Sequence, residues 1–175
     1  AQYERRFNDA IAVIQKRIAE AEPGKPMDTP TKLLLPDLGY CQEWIGQTKE
    51  AHESFARAVA AIKPTPDSVV VADSLGTPDV LALAYAGLGD KDKALEQAKR
   101  AVADYATDAI QKPNAETVLA QIQARFGDAD SAIAAIPHLL EVPAGITVSD
   151  LKFNPLWDPL RKDPRFQKLC EEKPK

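Results

Sequence analysis

Three glycines set the register of this 175-residue chain. Gly46, Gly89 and Gly127 each end one helical stretch and open another within a residue or two, at intervals of 43 and 38 residues. Five residues after each glycine stands an alanine: Ala51, Ala94 and Ala132. Seven residues before stand Gly39, Ala82 and Ala120, each preceded by a leucine: Leu38, Leu81 and Leu119. Glycine permits the positive backbone angle that ends a helix. The small residues on both helices of a pair let two axes approach, and the leucine fills the space between pairs. The pattern therefore predicts an all-α fold of repeated helix pairs. The stretch from Thr77 to Tyr105 shows the unit most clearly, with Gly89-Asp90 as its corner.

The rest of the chain falls into step. Phe7, Ala10, Ile11, Ile14, Ile18 and Ala21 recur at steps of three and four, which predicts an amphipathic helix over Tyr3–Ala21. A linker with Pro23 and Pro26 follows. Thr29-Pro30 then reads as a cap and a first-turn proline. That helix runs to about Trp44, and Pro36 is expected to kink or split it. Thr48 is placed to cap the next helix, whose inward stripe is Ala51, Phe55, Ala58, Val59 and Ile62. Residues 64–76 are ambiguous. Val69-Val70-Val71 has strand propensity, but with no strand partner nearby a helical turn or an extension of the following first helix is expected. Helices are expected again from Pro78 to Leu88, from Lys91 with Ala94, Leu95, Ala98, Ala101, Val102 and Tyr105 inward, and from about Ala115 to Phe126 with Val118, Leu119 and Ile122 inward. The last repeat helix is lined by Ala132, Ile133, Ile136, Leu139 and Leu140, with Pro137 bending its far half.

This register resembles the tetratricopeptide repeat, whose signature joins L-G, a later Tyr, then Ala, an aromatic, Ala and a closing Pro. One unit shows Leu38-Gly39, Gly46, Ala51, Phe55, Ala58 and Pro64, with Gln42 where Tyr is expected. The next shows Leu81-Ala82, Tyr85, Gly89, Ala94 and Ala101. The third keeps Leu119-Ala120, Gly127 and Ala132. The resemblance implies a right-handed α-solenoid of about three and a half helix pairs in a single domain: a half-repeat at 1–23, repeats at 30–64, 77–106 and 113–143, and a capping tail at 147–171. The half-repeat is a second helix without its first, so we expect the chain to be a piece of a longer one.

The tail, LKFNPLWDPLRKDPRFQKL, holds Asn154-Pro155, Asp158-Pro159 and Asp163-Pro164, three cap-plus-proline starts within eleven residues. Short helical turns would let Phe153, Leu156, Trp157, Leu160, Phe166 and Leu169 cover the open end of the last repeat, which terminal units need. The alternative is a ligand site at Trp157 and Arg161. The phrase is similar to the closing segment of tetratricopeptide regions in bacterial multidomain regulators, where the region follows a kinase, cyclase or winged-helix module.

Composition narrows the function. The chain is 45% apolar and 27% charged, which suits a globular fold. A net charge of −4 and a pI near 5.3 argue against a nucleic-acid surface. No apolar run approaches the roughly 18 residues a membrane span needs, and no signal segment opens the sequence. Cys41 and Cys170 share no CxxC spacing and are expected to be buried thiols. His52 and His138 stand outside any metal-ligating spacing, no serine sits in a nucleophile elbow, and no phosphate loop is present. No catalytic residue, metal ligand or cofactor is therefore expected.

Binding is the expected role. The resemblance places first helices on a concave face, which would carry Tyr40, Glu43, Trp44, Asp79, Leu83, Gln121 and Arg125. Tyr40 and Trp44 share a helix face, either to anchor a peptide or to pack on linkers and the preceding unit. The family's carboxylate-clamp lysines and asparagines are replaced here by Pro36, Tyr40, Asp79 and Leu83, which argues against a chaperone-tail receptor. The expectation is a protein-interaction or scaffold module, the C-terminal regulatory part of a bacterial signalling or transcription-regulatory protein. The alternatives are self-association through residues 1–21 and small-molecule sensing in the concave groove. A cytoplasmic location is favoured, or a periplasmic one if a membrane span lies upstream of Ala1.

Overall fold

The computed structural model describes residues 6–20, 29–62 and 77–171. The Pro23 and Pro26 linker and the Val69-Val70-Val71 segment lie outside them. All regular structure among the described residues is helical: α1 (Phe7–Ala19), α2 (Thr29–Trp44), α3 (Thr48–Ile62), α4 (Thr77–Gly87), α5 (Lys91–Asp104), α6 (Gln111–Arg125), α7 (Ala129–Glu141), α8 (Val148–Phe153), a 3-10 helix η1 (Pro155–Leu160) and α9 (Pro164–Glu171). The chain divides after Asp90 into two compact units, the first holding α1–α4 and the second α5–α9.

The three glycine corners are the same structure. Gly46, Gly89 and Gly127 have φ of 83°, 78° and 84°. At each, the glycine N–H donates three residues back and the next N–H donates five residues back. The pairs are Gly46 to Glu43 and Gln47 to Gln42, Gly89 to Ala86 and Asp90 to Tyr85, and Gly127 to Ala124 and Asp128 to Gln123, all between 2.9 and 3.2 Å. This double bond is the Schellman closure, which satisfies carbonyls left over at a helix end and needs a left-handed residue at its centre. At the first corner, Ala51 N–H donates to Gln47 O at 2.9 Å. Gln47 therefore takes the cap position expected of Thr48.

In the first unit α1 packs on α2, α2 on α3, and both α2 and α3 on α4. Phe55 of α3 is the centre of this packing. A Cβ added at Gly39 of α2 or at Gly87 of α4 would lie 2.5 Å from its ring. The predicted stripe of α3 is buried at Ala51, Phe55, Ala58 and Ile62, and Ser54 joins it. On α1, Ile11 is buried while Phe7, Ala10, Ile14 and Ile18 pack against Leu38 and Cys41. Pro36 does not split α2, which passes through it as one 16-residue helix. An interior proline costs about 3 kcal/mol. Here Leu35 and Pro36 are fully buried, and packing on three neighbouring helices offsets that cost.

In the second unit α6 is central, with α5, α7 and η1 packed around it. That is why α6 buries residues on several sides: Pro113, Ala115, Ala120, Gln121, Ile122 and Ala124. Val118 and Leu119, expected inward, are only half-buried. The helix also begins four residues earlier than expected. Asp108 Oδ1 accepts from the N–H groups of Ile110 and Gln111 at 2.9 and 2.8 Å. Pro113 falls in the first turn, where a missing N–H leaves no bond unmade. Pro137 likewise leaves α7 continuous to Glu141.

The tail folds as three short helices, but not from the three expected starts. Thr147 Oγ1 caps α8 by accepting from Asp150 N–H at 3.1 Å. Asn154 Oδ1 accepts from Leu156 N–H at 3.0 Å to open η1. Asp163 Oδ1 accepts from Arg165 N–H at 2.9 Å at the start of α9. Asp158-Pro159 starts nothing. It lies inside η1, and its carboxylate accepts from Arg161 Nε at 2.5 Å instead of capping a helix. Leu151, Trp157, Leu160 and Phe166 join Ile133, Ile136 and Leu139 in one core. Trp157 is 0% exposed, a burial worth on the order of 4 kcal/mol. Phe153, expected in this cover, is exposed, and Leu156 and Leu169 are half-buried.

Candidate functional site

The residues read as a binding face divide between the two units. In the first, Tyr40 is 3% exposed. Its ring meets Phe55 edge-on at 4.9 Å and stacks on Trp44 at 5.7 Å. Its hydroxyl donates to the Leu83 carbonyl at 3.0 Å. Tyr40 thus ties α2 to α4 as part of the core. Trp44 is half-buried, one face taken by Phe7 of α1 at 4.9 Å. Glu43, Asp79 and Leu83 are also half-buried. Burial pushes the Asp79 carboxyl above the usual carboxylate range, and hydrogen bonds from backbone N–H groups, Val80's among them at 3.0 Å, oppose the shift. In the second unit Gln121 is buried. Arg125 is half-buried one turn further on, in the last turn of α6, where positive charge is favoured.

Sequence reasoning passed over a buried polar pair between α2 and α3. Gln42 and Ser54 are each 4% exposed. Ser54 Oγ donates to Gln42 Oε1 at 2.7 Å, joining α3 to α2. Both line a cleft of about 310 Å³ between α1, α2 and α3. The available signal was Gln42 itself, standing where the repeat signature has Tyr.

The tail alternative has a different outcome. Trp157 Nε1 donates to Asp150 Oδ2 at 2.9 Å. Arg161 donates to the carbonyls of Leu151 and Asn154 at 3.4 and 3.3 Å. Both side chains are thus engaged in holding the tail together. A shallow hollow of about 240 Å³ beside Arg161 is lined by Lys152 and Cys170. Cys170 is half-buried, not buried as expected, while Cys41 is buried. Burial raises both thiols, which disfavours the reactive thiolate.

His52 is exposed. His138 Nε2 lies 3.5 Å from Glu116 Oε2, across α7 and α6. Among the described residues, no three His, Cys, Asp or Glu side chains come together as a metal site would require. Among the same residues, no helix is long and apolar enough to cross a membrane. No protein-family model matches the chain, and no curated protein or solved structure does.

Proposed function

We propose that this protein is a non-catalytic interaction module, a right-handed tetratricopeptide-like solenoid of about three and a half helix pairs whose partner is a protein or peptide. The observation that carries the reading is the corner repeated at Gly46, Gly89 and Gly127, with the same pair of backbone bonds each time. Repetition of one supersecondary unit builds surfaces for binding, and such units cannot bury their apolar faces alone. The first unit offers Glu43, Trp44, Asp79 and Leu83 on α2 and α4, each partly exposed. Tyr40 acts in this reading as the strut beneath them, and Gln121 and Arg125 hold the matching register in the second unit. We place the module in a larger bacterial regulatory protein on the strength of the tail phrase alone.

The test is selection from a random-peptide display library against the purified protein. The reading expects an enriched motif whose binding drops in Trp44→Ala and Asp79→Asn while circular dichroism keeps the helical signal. Absence of any enriched motif, or motifs that bind both variants as well as the parent, would refute it. Self-association is the second reading, because Val13 on α1 is 69% exposed beside an otherwise packed stripe. Light scattering that gives a monomer mass at high concentration would remove it.

A further inference from the structure

We propose that the first unit holds a separate site, the cleft between α1 and α3, for a small zwitterion: an α-amino acid with a short apolar side chain. The register explains why the cleft exists. Position 42 is four residues before its glycine corner, as Tyr85 is before the next one, and Tyr85 is a buried aromatic. Gln42 is shorter and polar, and the cleft opens beside it. The floor is Leu38, Gln42 and Ser54, all buried. Ser54 Oγ donates to Gln42 Oε1, which fixes the amide. The Gln42 Nε2 hydrogens then have no acceptor among the described residues. That donor is left to whatever fills the cleft, so the floor suits an occupant that brings an oxygen.

The rim supplies the remaining chemistry. Glu50, Glu53 and Arg57 lie three and four residues apart on α3, and so share one helix face above the cleft. The carboxylates stand toward one end of that face and the guanidinium toward the other. Lys49 Nζ is 4.0 Å from Glu53, both well exposed, an arrangement that counts for little in water. Ile18 and Ala19 of α1 form the apolar wall. A ligand carboxylate therefore meets Gln42 Nε2 and Arg57, its ammonium meets Glu50 and Glu53, and its side chain meets the wall. At about 310 Å³ the space is at the small end of ligand pockets.

The test is isothermal calorimetry with L-leucine and L-valine, paired with amide NMR spectra that follow the Gln42 side chain. Saturable binding that shifts the Gln42 amide signals is expected. Leucinamide and 4-methylpentanoate, which lack one charge each, should bind at least about tenfold more weakly, or about 1.4 kcal/mol. Gln42→Tyr should fill the cleft and abolish binding. If that variant does not fold, Arg57→Gln on the exposed rim decides, and should weaken binding with the fold intact. No heat and no shift at millimolar L-leucine and L-valine would overturn the proposal, as would binding unchanged in Arg57→Gln. Binding of 4-methylpentanoate as tight as L-leucine would overturn the zwitterion assignment. None of these outcomes depends on the peptide reading of the Trp44 face.

Discussion

Replacing Gly87 by alanine should destabilise the first unit, although alanine is the better helix former. Helix propensity alone favours Ala over Gly by about 1 kcal/mol. Gly87 lies at the end of α4, and a Cβ built there falls 2.5 Å from three atoms of the Phe55 ring. Ordinary contact begins at 3.4 Å, so the ring or the helix must retreat by about 0.9 Å. The ring has little room to do so, because a Cβ at Gly39 would also lie 2.5 Å from it and Tyr40 sits edge-on at 4.9 Å. Forcing an atom into such a core costs about 1–3 kcal/mol, with this overlap toward the upper end. The net loss should be about 1–2 kcal/mol. With a urea slope near 2 kcal/mol/M, the midpoint should fall by about 0.5–1 M. Urea titration followed by circular dichroism measures it. The cycle with Phe55→Leu is sharper: shrinking the ring should cost less in Gly87→Ala than in the parent, with a coupling of about 1 kcal/mol. A midpoint that rises for Gly87→Ala, or a coupling near zero, would refute the claim that this ring sets the spacing of α2 and α4.

Three further outcomes are expected. Ala144 has φ of 60° in the turn where Gly145 N–H donates to Val142 O at 3.1 Å; Ala144→Gly should raise stability by about 0.5–1 kcal/mol, roughly 2 °C in Tm by calorimetry, once the gain in unfolded-chain freedom is subtracted. Trp157→Phe removes the donor to Asp150 and leaves a void among Leu139, Leu160 and Phe166, so a loss of about 2 kcal/mol is expected in urea titration, with fluorescence then reporting only Trp44. For pH, burial raises the Asp79 carboxyl, so its penalty is absent while it is protonated and grows as pH climbs through the raised value. Asp79→Asn should therefore gain Tm over the parent at pH 7, and the gap should close below about pH 4. Asp108 and Asp128 run the opposite way: the N–H groups of Gln111 and Ile110 hold the Asp108 carboxylate below the usual range, and the Ser131 hydroxyl and N–H hold that of Asp128 there. Their contribution is present above the usual carboxylate range and is lost as pH falls through the lowered values.

Much of the fold was written locally. A left-handed residue at a helix end is a property of glycine itself, and so the three corners could be placed from sequence, as could the α3 stripe and the Asn154-Pro155 and Asp163-Pro164 starts. What tertiary structure decided were the contests between local preferences and neighbours. Pro36 stays inside an unbroken α2 because three helices pack around it. Asp158-Pro159 starts no helix of its own because the turn opened by Asn154-Pro155 runs through it as η1. Spacing left Tyr40 open between a surface anchor and a packing residue; the structure puts it against Phe55 with its hydroxyl on Leu83. The Gln42–Ser54 pair needed coordinates altogether, since its meaning depends on α1 standing far enough from α3 to leave a cleft. Backbone chemistry acts over four or five residues and can be read from them. Which face is covered depends on side chains forty residues away, and only packing fixes that.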